Sequence, residues 1–332
     1  MNIFMFIAVV TVHVLSWTLT DMNELCVDKA SWQYASVFSV SRLLQFVVQG
    51  FIFLSAVKLF SSKKEMNYEK FLLGRYKSII LPYIVWNLIY YAYFIKFYGY
   101  VFSFGQLAVY LFLGTLCSHF YFIVIIMQFY FNMPVFKWLF GKVNMFVLSA
   151  VSVVLTALFK QYVHFEYSDR VLPAFLCYFV IGAAVGMNYE KVTAALEKLF
   201  YPICAVFGIF AFADVYLIYR ANAFGIVFGY IEVLHIFFCI SAIFFLFAFC
   251  IKVARGRELP KFVKLLDRSS YMIYLSHILF IYIAKGLVER LEISGTLERL
   301  LFRAIFTFAT TVGFCMLYTW ITEKIKNGRK TA

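Results

Sequence analysis

Ten apolar stretches, each long enough to cross a lipid bilayer, constrain the fold of this chain more than any other feature. A helix needs roughly 20 apolar residues to cross the hydrocarbon core, and these runs are about twice as long as the strands of a membrane barrel. We therefore predict an all-α fold, a polytopic transmembrane helical bundle of about ten spans that forms a single integral membrane domain over residues 1–332. Hydropathy places the spans at residues 2–20, 35–60, 76–97, 105–133, 143–160, 171–187, 199–219, 225–251, 269–286 and 300–321.

Composition and charge support a membrane protein and indicate its orientation. Hydrophobic residues make up 64% of the chain, against roughly 45–50% in soluble domains. With the N-terminus in the cytoplasm, 19 of the 30 basic residues fall on the inner side, Lys63 and Lys64 among them, and nine fall on the outer side, including Arg303. The positive-inside rule then predicts a multi-pass protein of the cell (plasma) membrane with both termini cytoplasmic.

The net charge of +13 is explained by basic groups that face anionic lipids. We therefore expect the lipid bilayer as a partner and no nucleic acid. Six of the seven cysteines lie in apolar stretches, and no Cys or His spacing matches a zinc site. Because no Gly-rich phosphate loop or dinucleotide fingerprint occurs either, we expect no metal and no bound cofactor.

A few ionisable side chains interrupt the apolar stretches. Each costs roughly 2.5–3.5 kcal/mol at the centre of a membrane helix, so such residues usually face the protein interior and are candidates for a functional site. For each histidine, a hydrogen bond to a neighbouring helix is the alternative explanation. The ionisable residues that interrupt the apolar stretches are His13, Arg42, His119, Asp214, Glu232, His235 and His277.

Spacing places some of these residues on common helix faces. In the second stretch, Arg42, Gln45 and Gln49 are at i, i+3 and i+7, and in the first stretch His13 and Ser16 are at i and i+3. Residues with these spacings share one face of an α-helix. His13 and Arg42 each lie about seven residues, roughly 10 Å, from the outer ends of their spans. We therefore expect the two side chains to meet in one pocket.

Two carboxylates lie at a comparable depth, Asp214 and Glu232. A histidine that takes a proton from a hydroxyl works better when a carboxylate fixes its tautomer, so either group could assist His13. Alternatively, either carboxylate could neutralise Arg42 in a structural ion pair. His119 and His277 lie nearer the middle of their spans, where they could line a path inward.

Five motifs follow one another along the chain: residues 12–16, Arg42 with residues 49–55, Arg75 with residues 81–86, residues 119–123 with 128–130, and residues 269–277. In their order and spacing they resemble the membrane acyltransferase-3 family. Within that family the chain is most similar to the Gram-positive branch that includes the intercellular-adhesin polysaccharide O-succinyltransferase or exporter. The chain departs from the family at Gln49, where a proline is common, at Ala56, where a glycine is common, and in lacking a basic residue before His13.

The resemblance implies an enzyme that moves an acyl group, acetyl or succinyl, from cytoplasmic acyl-CoA to a hydroxyl of an extracytoplasmic cell-surface polysaccharide or envelope glycan. Acyl-CoA is then the donor substrate, and a polysaccharide synthase is a candidate partner. Such chemistry needs a base for the hydroxyl and a cationic or hydrogen-bonding group for the oxyanion. We expect His13 to be the base and Arg42 to anchor the donor or the oxyanion. Supporting or substrate-path residues would be Ser16, Gln45, Gln49, His119, Asp214, Glu232 and His277.

The alternative function is export or flipping of a polysaccharide without acyl-transfer chemistry. A transporter is expected to have related halves with broken helices in corresponding positions. Pro82, Pro134, Pro173 and Pro202 lie at or near span ends and do not break span centres. The sequence therefore favours the enzyme.

Overall fold

The computed structural model describes residues 1–62 and 66–331, so Lys63 and Lys64, assigned above to the inner side, lie outside the described residues. Within these ranges the chain consists of helices and their connections, with no strand. The α-helices are α1 (Asn2–Glu24), α2 (Trp32–Leu43), α3 (Val47–Phe60), α4 (Tyr68–Arg75), α5 (Leu81–Tyr98), α6 (Phe104–Leu113), α7 (Tyr121–Phe131), α8 (Met133–Phe140), α9 (Met145–Tyr162), α10 (Leu176–Met187), α11 (Tyr189–Lys198), α12 (Phe200–Phe224), α13 (Ile231–Ala254), α14 (Lys261–Arg290) and α15 (Thr296–Thr331).

Eight helical segments of the described chain are long and apolar enough to cross a membrane, and the number rises to ten if each of two bent helix pairs is one span. The bent pairs are α7 with α8, at 55°, and Leu172–Met187 with α11, at 99°. The prediction of an all-helical protein with about ten spans is confirmed. The eight segments are Asn2–Glu24, Trp32–Phe60, Tyr68–Tyr98, Met145–Tyr162, Phe200–Phe224, Ile231–Ala254, Lys261–Arg290 and Thr296–Ile325.

The prediction that the fourth apolar stretch, residues 105–133, forms one continuous membrane-spanning helix is wrong. Helix α6 ends at Leu113, and Gly114 closes it with a φ of +62°, a backbone conformation that glycine adopts without steric cost. A Cβ at Gly114 would lie 2.8 Å from backbone atoms of Phe120 and Tyr121. Hydropathy does not detect this break because it is averaged over many residues, and the short connection lies between two strongly apolar helices.

The second apolar stretch is also interrupted. Helix α2 ends at Leu43, residues 44–46 form a turn, and α3 starts at Val47. The predicted common face of Arg42, Gln45 and Gln49 is therefore interrupted by this turn, although Arg42 Nη1 still donates to Gln45 Oε1 at 2.7 Å. The chain gives no proline signal at this break, so spacing alone could not locate it.

The chain forms two compact units. Unit 1 comprises Met1–Val47, Cys204–Gly229 and Phe245–Ala332. Unit 2 comprises Val48–Ile203 and Tyr230–Phe244. His13, Arg42, Asp214 and His277 belong to unit 1, while Gln49, His119, Glu232 and His235 belong to unit 2.

In unit 1, α14 packs along α15, and α1 packs against α2, α14 and α15. A buried ion pair joins the first and last helices, with Arg303 Nη2 lying 2.8 Å from Asp21 Oδ2. Arg303 Nη1 also donates to Thr18 Oγ1 at 3.4 Å. The charge count placed Arg303 on the outer side, but α15 already begins at Thr296, so Arg303 lies about two turns inside the helix and is 1% exposed.

In unit 2, close backbone approach and aromatic packing hold the helices together. Gly182 and Gly186 of α10 face α3, where a Cβ would lie 2.5 Å from Phe53 O and 2.7 Å from Val57 O. Small residues of this kind allow membrane helices to pack closely. Phe129 of α7 stacks on Phe179 of α10 with ring centroids 4.4 Å apart.

Candidate functional site

Two histidines from neighbouring helices form the centre of the candidate site in unit 1. The ring centroids of His13 on α1 and His277 on α14 are 5.1 Å apart, and the ring planes are inclined by 45°. His277 is buried, whereas His13 is partly exposed. The His13 and His277 side chains are called the His pair below. The sequence nominated both residues, with His13 as the base and His277 as a residue that supports it or lines the substrate path.

The hydrogen bonds of His277 define its tautomer. Its Nδ1 lies 2.7 Å from Tyr274 O and 3.2 Å from Ile273 O. A carbonyl oxygen only accepts hydrogen bonds, so Nδ1 carries a proton and donates it. In the neutral ring, Nε2 then bears the lone pair. Backbone carbonyls of α14 thus perform for His277 the orienting role that the sequence assigned to a carboxylate beside His13.

Arg42 is held by two partners in unit 1. Its Nε donates to Asp214 Oδ2 at 2.7 Å, and its Nη2 donates to Asp214 Oδ1 at 3.1 Å. Its Nη1 donates to Gln45 Oε1 at 2.7 Å. Asp214 is fully buried, with an exposed fraction of 0%. This two-pronged contact is the strongest ion-pair geometry available to arginine. Of the two carboxylates considered for a structural pair with Arg42, Asp214 is the one observed in this contact.

The groups of unit 1 lie at a similar depth below one end of their helices. Residues 25–31 join α1 to α2, and Tyr219 near the end of α12 donates to Lys29 O of this connection at 2.8 Å. His13 is eleven residues before the end of α1, Arg42 is ten residues after the start of α2, and Asp214 is ten residues before the end of α12. At 1.5 Å per residue, each lies about 15–17 Å from that end. The depth expected from sequence was smaller, roughly 10 Å. That value was counted from the ends of the apolar runs, and the helices extend beyond those runs.

The sequence reasoning missed an aromatic contact in unit 1. This contact lies one turn beyond the His pair, toward the same end of α1. The rings of Trp17 on α1 and Tyr282 on α14 have centroids 5.3 Å apart and meet edge to face. Lys285 Nζ lies 5.0 Å from the centroid of the Trp17 ring, in a cation–π arrangement. The available signal was the spacing of Trp17, which is four residues from His13 and therefore on the same side of α1.

Ser16 is exposed on α1 near His13, as its spacing predicted. The remaining nominated residues lie in unit 2. Gln49 is buried in α3. His119 was expected within a span, but it lies in the connection between α6 and α7, where it is buried next to Tyr90 and Phe120.

Glu232 and His235 lie near the start of α13. Glu232 Oε2 is 3.3 Å from Lys160 Nζ, and its side chain is 48% exposed. His235 Nε2 lies 3.4 Å from Cys239 Sγ, one turn further along the helix. Glu232 is therefore part of a partly solvated ion pair with Lys160.

Among residues 1–62 and 66–331, no three His, Cys, Asp or Glu side chains converge as ligands for a metal ion.

Comparison with known proteins gives one match. A protein-family model described as an acyltransferase domain matches residues 3–320. The match does not distinguish the Gram-positive adhesin branch from the rest of the family. No curated protein and no solved structure matches the chain.

Proposed function

Because this chain belongs to the acyltransferase family whose model matches residues 3–320, we propose that it is a membrane O-acyltransferase with a cytoplasmic donor and an extracytoplasmic acceptor. The donor is acyl-CoA carrying an acetyl or succinyl group. The acceptor is a hydroxyl of a cell-surface polysaccharide or envelope glycan. The distribution of basic residues supports the orientation, with both termini in the cytoplasm.

The observation that carries the proposal is the His pair. His13 is partly exposed and is the base that contacts the acceptor hydroxyl. His277 lies behind it with a tautomer fixed by its own helix, and it positions the His13 ring. Two imidazolium rings in contact would repel each other, so the pair holds one additional proton at a time.

The reaction proceeds by attack of the hydroxyl oxygen on the thioester carbonyl carbon, with the hydroxyl proton passing to His13. The carbonyl oxygen becomes an oxyanion, which Arg42 stabilises through guanidinium hydrogens directed away from Asp214. Collapse of this intermediate breaks the carbon–sulfur bond. The coenzyme A thiolate leaves and takes the proton from His13, so the base is regenerated and no net proton is consumed.

Asp214 and Gln45 orient the guanidinium rather than supply net charge. The Arg42–Asp214 pair is neutral overall, so its contribution comes from hydrogen bonds of fixed direction. Preorganised donors of this kind stabilise a transition state without reorganisation during the reaction. Loss of Asp214 would leave Arg42 charged but poorly oriented.

The test compares the envelope glycan of cells that carry the wild-type protein, His13→Ala or His277→Ala, with ester-linked acyl groups measured by mass spectrometry. We expect loss of the ester with His13→Ala, since a general base contributes about 10²–10⁴-fold to the rate, and a smaller reduction of at least about tenfold with His277→Ala, because His277 acts only through His13. The control is His164→Ala, because His164 is an exposed histidine of unit 2 outside the site. An unchanged ester content with His13→Ala would remove the base from the mechanism.

A polysaccharide exporter is the second candidate function. The observation that favours it is the break between α6 and α7 at residues 114–120, since transporters use broken helices at their binding sites. The expectation of unbroken spans rested on proline positions, and this break contains no proline. In the same experiment, an exporter predicts loss of secreted polymer at constant ester content per polymer, whereas the acyltransferase predicts polymer that is exported without its ester.

A further inference from the structure

The face of α1 that carries His13 continues toward the end of the helix as a polar surface. Ser16 and Thr20 are exposed on this face, and Trp17 is partly exposed. A helix face in contact with lipid tails would expose apolar side chains instead. The surface formed by Ser16, Trp17, Thr20 and Lys285, called the Trp17 surface below, therefore contacts water or a polar ligand.

The indole of Trp17 is fixed in place by its neighbours in unit 1. Tyr282 contacts it edge to face, and Lys285 Nζ lies 5.0 Å from its ring centroid. Lys285 is in turn 3.8 Å from Glu289 Oε1, one turn along α14. A large aromatic side chain that is already ordered loses little entropy when a ligand binds to it.

The charges and polar groups around Trp17 suit an uncharged polyhydroxyl ring. The Glu289 carboxylate offsets the Lys285 ammonium, so the surface is close to neutral and offers no concentrated positive charge to an anionic lipid headgroup. The Ser16 hydroxyl can donate and accept hydrogen bonds, the Thr20 hydroxyl donates to Ser16 O at 3.1 Å and can still accept, and Lys285 can donate. Indole combines a large apolar face with a polar edge, and a sugar ring likewise has apolar C–H faces and hydroxyls at its edge.

The distance to the His pair fits the same ligand. Trp17 is four residues from His13, which is about 6 Å along the axis of α1, a distance that one sugar ring spans. A ring lying against the indole would therefore direct an edge hydroxyl to the His13 imidazole. We propose that the Trp17 surface is the subsite that binds the acceptor sugar ring and selects which hydroxyl reaches the base. This inference rests on the proposed transfer to a glycan hydroxyl.

The test measures sugar binding separately from catalysis. The full-length protein carrying His13→Ala, in detergent, is titrated with methyl glucoside, methyl galactoside and N-acetylglucosamine, and binding is followed by calorimetry. At least one sugar should bind saturably. Adding Trp17→Ala should weaken this binding at least tenfold, whereas Trp17→Phe should retain it within about threefold.

A matched control is available on α15. Trp320 has the same kind of contact, with Lys324 Nζ 4.3 Å from its ring centroid, but it lies at the opposite end of α15 from Arg303. Trp320→Ala should leave sugar binding unchanged. Lys285→Met, which keeps the length of the side chain, tests the subsite if Trp17→Ala fails to fold, and it should weaken binding at least threefold.

Three results would overturn the inference. They are the absence of saturable binding by all three sugars, equal affinity in the Trp17→Ala and Trp320→Ala proteins, or binding at Trp17 that is seen with vesicles of anionic phospholipid and not with sugars. Failure of the acyl transfer itself is recognised separately. In that case the glycan of wild-type cells would carry no ester that depends on this protein, even though sugar binding to the purified protein is intact.

Discussion

At the residue scale, the sequence nominated Asp214 and His277 among the buried ionisable residues of unit 1 but missed Asp21 and Arg303, and it offered Asp214 only as one of two partners for Arg42. His13, Arg42 and Asp214 stand out because an ionisable side chain is costly in a lipid-facing helix. Arg303 was missed because it lies near the end of an apolar run, where an arginine normally reaches the interface. Its burial depends on Asp21, which is 282 residues away in sequence, and no local pattern encodes such a pairing.

We predict that Asp21→Ala destabilises the protein by about 3–5 kcal/mol, because it leaves the buried Arg303 guanidinium without its carboxylate. The measurement is thermal unfolding of the detergent-solubilised protein. The double variant Asp21→Leu with Arg303→Met should recover much of the loss, since no buried charge remains. Equal stability of Asp21→Ala and wild type would show that Arg303 is compensated in another way.

Thr311→Val is the control for the Asp21→Ala variant, because Thr311 is a buried polar residue on α15, the helix that carries Arg303. Thr311 is 0% exposed, and its Oγ1 has no hydrogen-bond partner among residues 1–62 and 66–331. Valine has nearly the same shape and removes a buried hydroxyl that is expensive to leave unsatisfied. This change should leave the unfolding temperature unchanged or raise it.

At the element scale, the apolar runs predicted the number of spans but not where helices break. Hydropathy averages over many residues, whereas a break depends on one or two backbone angles. Gly114 illustrates this limit, because its left-handed conformation ends α6 inside a stretch that reads as one apolar run. The turn at residues 44–46 lacks even a glycine, so its position follows from packing that the sequence does not display.

We predict that Gly114→Ala lowers the free energy of unfolding by at least about 2 kcal/mol, because alanine is strained at positive φ and its Cβ would collide with the backbone of Phe120 and Tyr121. Gly313→Ala on α15 provides the comparison. No atom lies within 4 Å of a Cβ built there, and alanine is favoured over glycine in a helix by up to about 1 kcal/mol. Similar unfolding temperatures for the two variants would contradict the strained turn.

At the scale of the whole molecule, the sequence could predict a membrane bundle and its class of chemistry. It could not predict which nominated residues share a unit. Gln49 and Arg42 are seven residues apart and were expected to act together, yet they fall in different compact units. His277, 264 positions after His13, lies against it. Grouping depends on how distant helices pack, which a single sequence does not reveal.

The orientation predicts that Cys26 is accessible from outside the cell. Cys26 is exposed in the connection between α1 and α2, and a cytoplasmic N-terminus places this connection on the outer side. A membrane-impermeant maleimide applied to intact cells should label the wild-type protein and leave Cys26→Ser largely unlabelled. Labelling of Cys26 only after the cells are permeabilised would contradict the predicted orientation.

The contact between Arg42 and Asp214 also has a consequence for biosynthesis. These residues are 172 positions apart, and at 5–20 residues per second a ribosome needs about 10–35 s to synthesise the intervening chain. During that interval the second helix enters the membrane with a guanidinium whose final counter-ion has not yet been translated. The insertion machinery, retained water or lipid phosphates must shield this charge, and a nascent chain stalled before Asp214 should remain associated with the translocon.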